Sequence, residues 1–418
     1  MLEETNTRDK VVEIYNSPDF SPPNTQTGCG GAGFAVCFKQ TIRNGGESMI
    51  YLDYAASAPP WEEAVQAVQR TMLERFGNPG ALHGAGGEAR AVLWESRKSI
   101  AELLDVRPEE VFFTSGGTEA NNWAVRMGCE RGKIHIIAAA TEHRSVLEPA
   151  GRLREQGYEL TVLNPGEDGI IAPETVDAAI RRDTALICVQ AVNNETGVVQ
   201  DVAGLAALAR KYGVRYLCDG VQSFGHMDQP LNRADFVSLS AHKLGGPRGV
   251  GCLVVRYPNM IAPLIDGGGQ EYGGRSGTEN LPGIAGFAAA ARLSVRSLGE
   301  ELRRLEELSG ALVRGIKEAA PRMELNGGAG RRYPGIISCW FPGIPAEEMV
   351  MRLDLSGVCV SPGAACAARD AMPSHVLLAM GYDERRAKES VRFSLGRLTT
   401  AEEIGYTVKA VRSIVRGR

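Results

Sequence analysis

Leu217-Cys-Asp-Gly-Val-Gln222 and, further along the chain, Ser238-Leu-Ser-Ala-His-Lys243 decide the fold. Each begins as a short apolar run and ends on polar or charged residues. The first closes on Asp219, with a glycine behind it. The second closes on Ser240 and reaches Lys243 through a histidine, and Gly-Gly-Pro-Arg-Gly follows at 245–249. Runs of this length bounded by glycine read as buried strands. Working outward, 111–114, 134–138, 160–163, 186–189 and 216–219 read the same way, and 236–239 and 250–255 extend the series. Helical patterns lie between them, for example at 60–75, 87–104, 118–128, 145–156 and 201–212. Strand alternating with helix predicts an α/β fold, with a mostly parallel seven-stranded sheet covered by helices.

The pattern changes after about residue 282. A long helical stretch over 283–320 carries charge pairs such as Glu300, Arg303, Arg304 and Glu307. Shorter strands are expected near 336–341, 357–360 and 391–395, which makes a smaller α+β domain. The strand at 50–53 is expected to pack near it. The first 48 residues contain Ser-Pro, Pro-Pro and the glycine-rich Gly28-Cys-Gly-Gly-Ala-Gly33, with weak periodicity. The expected organisation is a flexible extension over 1–48, a large domain over 49–282 and a small domain over 283–418.

Composition narrows the function. With 44% hydrophobic and 23% charged residues, the 418-residue chain is an ordinary globular protein with a large core. A net charge of -4 argues against a nucleic-acid or anionic-membrane binder. No apolar run approaches the roughly 20 residues that cross a bilayer, and the acidic, polar N-terminus is unlike a secretory signal. Nine scattered cysteines suggest reduced thiols and a cytoplasmic protein. Cys188, Cys218, Cys252 and Cys359 lie in or beside apolar runs and read as small core residues. Cys29 and Cys37 lack the paired spacing of a zinc site, and no resident metal is expected.

Asp219 and Lys243 are the pair needed by a cofactor with a carbonyl and a pyridine ring. Lysine forms the Schiff base, and a buried carboxylate keeps the ring nitrogen protonated so that the ring acts as an electron sink. On spacing alone they read equally as a strand-end Asp and a surface Lys. The rigid loop after Lys243 tips the balance. A phosphate site should accompany the ring. Thr114-Ser-Gly-Gly-Thr-Glu119 stands between a strand and a helix, with Thr118 at the helix N-terminus, where N–H groups and the dipole favour an anion. His143 follows a strand and could stack on the ring or exchange protons. The amides of Val192-Asn-Asn-Glu-Thr-Gly197 follow another. All these groups fall at the C-terminal ends of expected parallel strands, where open α/β sheets bind ligands. In the small domain, Cys366 stands among small residues on an expected loop, as an accessible nucleophile requires. Arg392 lies in a short strand and suits a carboxylate.

Taken in order along the chain, these motifs resemble those of cysteine desulfurases of the NifS/IscS type, within the fold-type I, class V aminotransferase-like enzymes of pyridoxal 5'-phosphate. The resemblance covers about residues 50–415. It rests on Phe76-Gly-Asn-Pro79, Ser115-Gly-Gly-Thr-Glu-Ala-Asn-Asn122, Glu142-His143, Asn193-Asn-Glu195, Asp219 with Gln222, Ser240-x-His-Lys243, Gly267-Gly-Gly-Gln-Glu271, Arg275-Ser-Gly-Thr-Glu-Asn280, Cys366, Pro373-Ser-His-Val376 and Arg392-Phe-Ser-Leu-Gly-Arg397.

The resemblance implies a role for each matching residue. Lys243 would hold the cofactor, Asp219 its ring nitrogen and Gln222 its ring hydroxyl, with His143 stacked on the ring. Gly117, Thr118, Ser240 and His242 would bind the phosphate, and Thr278 would complete the phosphate site of a neighbouring subunit, implying a homodimer. Asn194 and Arg392 would bind the carboxylate of L-cysteine. His143 would manage the substrate thiol proton, and Cys366 would receive the sulfur as a persulfide, releasing L-alanine. An acceptor protein such as an iron–sulfur scaffold would take the sulfur; whether Cys366 also ligates a cluster in transit is left open. The stretch from Cys366 to Pro373-Ser-His matches the long-loop subgroup. Alternatives are a selenocysteine lyase or another class V transaminase, and a catalytically silent sulfur-transfer scaffold. Two departures stand out. The family's usual Asn-Asn-Ala-Thr-Thr-Pro stretch is replaced by Leu52-Asp-Tyr-Ala-Ala-Ser-Ala-Pro59, and the loop after Lys243 lacks the usual aromatic residue and second lysine.

Overall fold

The computed structural model describes residues 43–44, 47–129, 132–328, 330–363 and 372–417. Cys29, Cys37 and Cys366 lie outside the described residues. Seven strands form the main sheet: β1 (Val111–Thr114), β2 (His135–Ala139), β3 (Glu159–Leu163), β4 (Thr184–Cys188), β5 (Arg215–Asp219), β6 (Phe236–Ser240) and β7 (Gly251–Val255). Their spatial order is β1-β7-β6-β5-β4-β2-β3. β7 runs antiparallel to both neighbours and the other pairings are parallel. The seven-stranded, mostly parallel sheet is the one expected. Every residue of β1, β2, β4, β5, β6 and β7 is buried, whereas the edge strand β3 is partly exposed. Covering both faces of a parallel sheet requires this continuous apolar character.

The connecting helices follow the same logic. In α1 (Gly117–Gly128), Ala120, Trp123, Ala124 and Met127 recur at helical spacing and are all buried. α2 (Arg144–Glu155) follows β2 and is capped by His143, whose ring accepts from the Ser145 amide. The long helix α3 (Leu281–Ala319) serves two cores. Its first part places Ile284, Phe287, Ala290 and Ala291 in the core beneath the main sheet. Its later part places Leu305, Leu308, Leu312 and Ile316 in a second core. Burying a side chain such as Phe287 contributes roughly 1.5–3 kcal/mol.

The second core lies against a four-stranded antiparallel sheet: β8 (Glu324–Leu325), β9 (Ile336–Trp340), β10 (Ser361–Pro362) and β11 (Ser390–Ser394), in the order β8-β9-β11-β10. The strand expected at 357–360 is placed differently. Val358–Cys359 pairs in parallel with Ile50–Tyr51, and after Val360 the residues Ser361–Pro362 join β11 as an edge strand. An edge suits Pro362, which has no N–H to donate. Cys359 also departs from expectation. Val358 and Val360 are buried, but Cys359 between them is half-buried, because alternate residues of an extended segment face opposite ways. Cys188, Cys218 and Cys252 are fully buried as expected. Among the described residues, no helix is long and apolar enough to cross a membrane.

Candidate active site

The C-terminal ends of β1, β2, β4, β5 and β6 open on one cavity of about 310 Å³. β2 leads outward to β3 and the chain then returns to β4, so the strand order reverses beside this cavity. Asp219 ends β5 and is buried. Its Oδ2 accepts from Asn121 Nδ2 at 2.7 Å and its Oδ1 from the Val221 amide at 2.9 Å. Lys243 follows β6. Its Nζ donates to the carbonyls of Ala55 (2.6 Å) and Ala56 (3.0 Å). Gln222 Nε2 donates to the same Ala55 carbonyl at 2.9 Å.

The loop behind Lys243 explains one departure from the family pattern. Gly245 has φ +82°, and a Cβ there would lie 2.7 Å from Trp61 Cδ1. The Trp61 indole fills this space and donates to the Leu244 carbonyl at 2.9 Å. The aromatic missing from the loop is thus replaced by one arriving from Pro-Pro-Trp61, and it holds the residue next to Lys243.

At one end of the cavity, α1 begins at Gly117 and Thr118, with free amides and the positive end of the helix dipole. A Cβ on Gly117 would meet Val221 Cγ2 at 2.7 Å, so only glycine lets the helix start this close. Ser240 and His242 line the same end. His242 Nδ1 lies 3.2 Å from Ser57 Oγ, and burial, with the charges of Lys243 and Arg248, pushes its pKa down to about 4.

His143 lines the middle. Burial lowers its pKa, opposed by the charge of Asp219 and reinforced by Lys243, His375 and Arg144. Beneath it, Glu142 is fully enclosed. Burial, with the charge of Asp219, raises its carboxyl well above the usual range, although the Gln190 amide donates to it at 2.5 Å. The neutral acid form of Glu142 is therefore favoured.

The opposite end is built from remote segments. Arg392 in β11 is 1% exposed. Its Nη2 pairs with Asp53 Oδ1 at 2.8 Å and its Nη1 donates to the Asn194 carbonyl at 2.9 Å. Asn194 and Arg392 both line the cavity. The Ala55 amide donates to Ser394 Oγ at 2.9 Å, so residues 53–56 join the strand of Arg392 to the perch of Lys243.

The cavity thus brings together Gly117, Thr118, His143, Asn194, Asp219, Gln222, Ser240, His242, Lys243 and Arg392. It does not include Thr278, which lines a separate cavity of about 140 Å³ with Arg275 and Glu279. That segment is anchored by the Arg275–Glu119 pair (2.8 Å) and, beneath it, by the buried Arg97–Glu271 pair (2.6 Å). Residues flanking the Cys366 stretch are tied close by. Ser374 Oγ donates to Glu195 at 2.5 Å, and His375 Nε2 lies 2.9 Å from the Glu142 carbonyl. Asp53, Asn121 and Ser145 were given no role by sequence reasoning. Asn121 stands four residues after Gly117, on the same helical face, and Ser145 two after the capping His143; those spacings were the available signals.

Two polar atoms of cavity-lining residues are buried without partners: Asn121 Oδ1, an acceptor, and Arg392 Nε, a donor. With a buried carboxylate, a helix N-terminus and a lysine between them, they fit pyridoxal phosphate carrying an amino acid. Among the described residues no cluster of His, Cys, Asp and Glu could hold a metal ion.

The Aminotransferase class-V family profile matches residues 50–406. The cysteine desulfurase IscS of Dictyoglomus turgidum is 38% identical over 372 residues, covering 88% of this chain and 94% of that protein. The mitochondrial cysteine desulfurase of Saccharomyces cerevisiae is 37% identical over 379 residues, covering 89% and 76%. A solved NifS-like protein superposes with a TM-score of 0.83 at 32% identity, covering 88% of this chain and all of that one.

Proposed function

The chain belongs to the class-V aminotransferase family as a pyridoxal-phosphate-dependent cysteine desulfurase of the NifS/IscS type, and we propose that Lys243, Asp219 and His143 serve the cofactor chemistry while Cys366 takes the sulfur. Pyridoxal phosphate, when bound, supplies a ring that draws the electron pair of the substrate Cα–H bond away from carbon. Asp219 would pair with the ring nitrogen, and Gln222 would face the ring hydroxyl. The amides of Gly117 and Thr118, with Ser240 and His242, bind the phosphate. Arg392, with Asn194, binds the carboxylate of L-cysteine and fixes the substrate in one orientation. Lys243 would hold the cofactor, and its Nζ would take the Cα proton of the substrate.

Cys366, as its thiolate, forms a bond to the substrate sulfur as the Cβ–S bond breaks. L-Cysteine and the Cys366 thiol become L-alanine and the Cys366 persulfide, with no other reactant consumed. An acceptor protein, such as an iron–sulfur scaffold, then receives the sulfur. Thr278 reaches the phosphate of a second subunit, which makes the working unit a homodimer. The reduced thiols suit a cytoplasmic setting.

The observation that carries this reading is the convergence of Lys243, Asp219, His143 and Arg392 on one cavity. The test is release of sulfide and alanine from L-cysteine, with cofactor and a reductant, in wild type and Cys366→Ala. Release by wild type and its loss in a variant that still binds cofactor is expected. Equal release by both would remove Cys366 from the mechanism.

A further inference from the structure

Asp219 and His143 are joined by two side chains that the chemistry above does not use. Asn121 Nδ2 donates to Asp219 Oδ2 at 2.7 Å and lies 2.9 Å from Ser145 Oγ. Ser145 Oγ lies 2.7 Å from His143 Nδ1, and the Ser145 amide donates to that same nitrogen at 3.1 Å. The direction of every bond is forced. A carboxylate only accepts, so Asn121 must turn its NH₂ toward Asp219. That NH₂ only donates, so the Ser145 oxygen accepts from it and has its own proton left for His143. A backbone N–H also only donates. Nδ1 therefore faces two donors and can carry no proton, and the proton of the neutral ring is on Nε2.

We propose that Ser145, braced through Asn121 on Asp219, locks His143 in the Nε2–H tautomer, so that His143 meets the substrate sulfur as a hydrogen-bond donor and not as the base that removes its proton. The inference rests on the desulfurase reading and deepens it. The substrate thiol keeps its proton, and its sulfur accepts from the Nε2–H and is held in place for attack. When Cys366 attacks, that proton stays on the outer sulfur of the persulfide while the electron pair of the broken Cβ–S bond stays with Cβ. Ser145 is a positioning residue, acting through His143. The surroundings keep the ring neutral. Asp219 on β5 favours the cation, but burial and the charges of Lys243 after β6, His375 on the small-domain side and Arg144 on α2 disfavour it. Protonating Nδ1 would also break the bond from the Ser145 amide.

The test is the ring tautomer, read by nitrogen NMR of the holoenzyme labelled in histidine. His143 should show a bare Nδ1 and a protonated Nε2; a protonated Nδ1 would overturn the proposal. Ser145→Ala removes one of the two donors. It should lower kcat about tenfold with KM for cysteine unchanged, and raise the pH at which His143 titrates. Ser145→Thr keeps the hydroxyl and should restore both. If Ser145→Ala alters neither kcat nor the titration, the proposal fails. Cofactor absorbance checks that the variant is folded and loaded, and if it is not, the wild-type tautomer decides alone. The tautomer is measured without turnover, so an error in the substrate would leave it unchanged.

Discussion

The two ends of the cavity are built on different plans. The ring end, from Thr118 to Asp219 and Lys243, is supplied by successive strands of one sheet, each delivering its residue where the strand stops. The carboxylate end is supplied by segments remote in sequence. Arg392 reaches across 339 positions to Asp53 and 198 to Asn194. The first end is placed by the sheet, with the carbonyls of Ala55 and Ala56 added to hold Lys243. The second exists only when the chain's beginning and end are packed together. Chemistry should therefore be lost at one end without loss of fold, and fold strained when the other is disturbed.

The sharpest break is Lys243→Ala. Turnover should fall on the order of 10⁴-fold or more, with loss of the Schiff-base absorbance and little change in the denaturation midpoint. A large loss of stability would show that the ring end also carries the fold. Arg392→Ala should do the reverse. It leaves Asp53, 18% exposed, without its cation, and should cost about 3–5 kcal/mol in denaturant unfolding besides raising KM. An unchanged midpoint would make the two ends equivalent.

Acid gives a smaller, graded distinction. His242, and His226 behind Lys243, are pushed by burial from their ordinary 6.5 to about 4. Between those values the unfolded chain binds the more protons. Their contribution is complete above pH 6.5 and is lost as pH falls toward 4. For the enclosed His226 it is on the order of 3 kcal/mol; for the partly exposed His242 it is less. Unfolding midpoints measured from pH 7 to pH 4 should fall, and less steeply in His226→Gln. Parallel curves for the two proteins would remove His226 as a source.

The same contrast explains what could be read from the sequence. Asp219, Ser240 and His143 were legible because an apolar run that stops on a polar residue marks both the strand and the site. The strand of Arg392 was legible for the same reason, but its ion pair with Asp53 was not, since no local pattern joins β11 to the start of the fold. Asn121 and Ser145 are small polar residues in helices, with nothing in their neighbours to set them apart until β2 and β5 stand side by side. Cys359 was misread as core because its valine neighbours are apolar, although their alternation already placed it on the other face. The roles of Cys366, which lies outside the described residues, and of Thr278, which lines a separate cavity, rest on the resemblance alone.

The long helix α3 has a consequence for how the protein tolerates stress. Its first turns are part of one core and its last turns part of the other, without a break in its hydrogen bonding. It acts as a splint. A chain shortened to residues 49–282 would lose Ile284, Phe287 and Ala290 from beneath the sheet and open that apolar face to water.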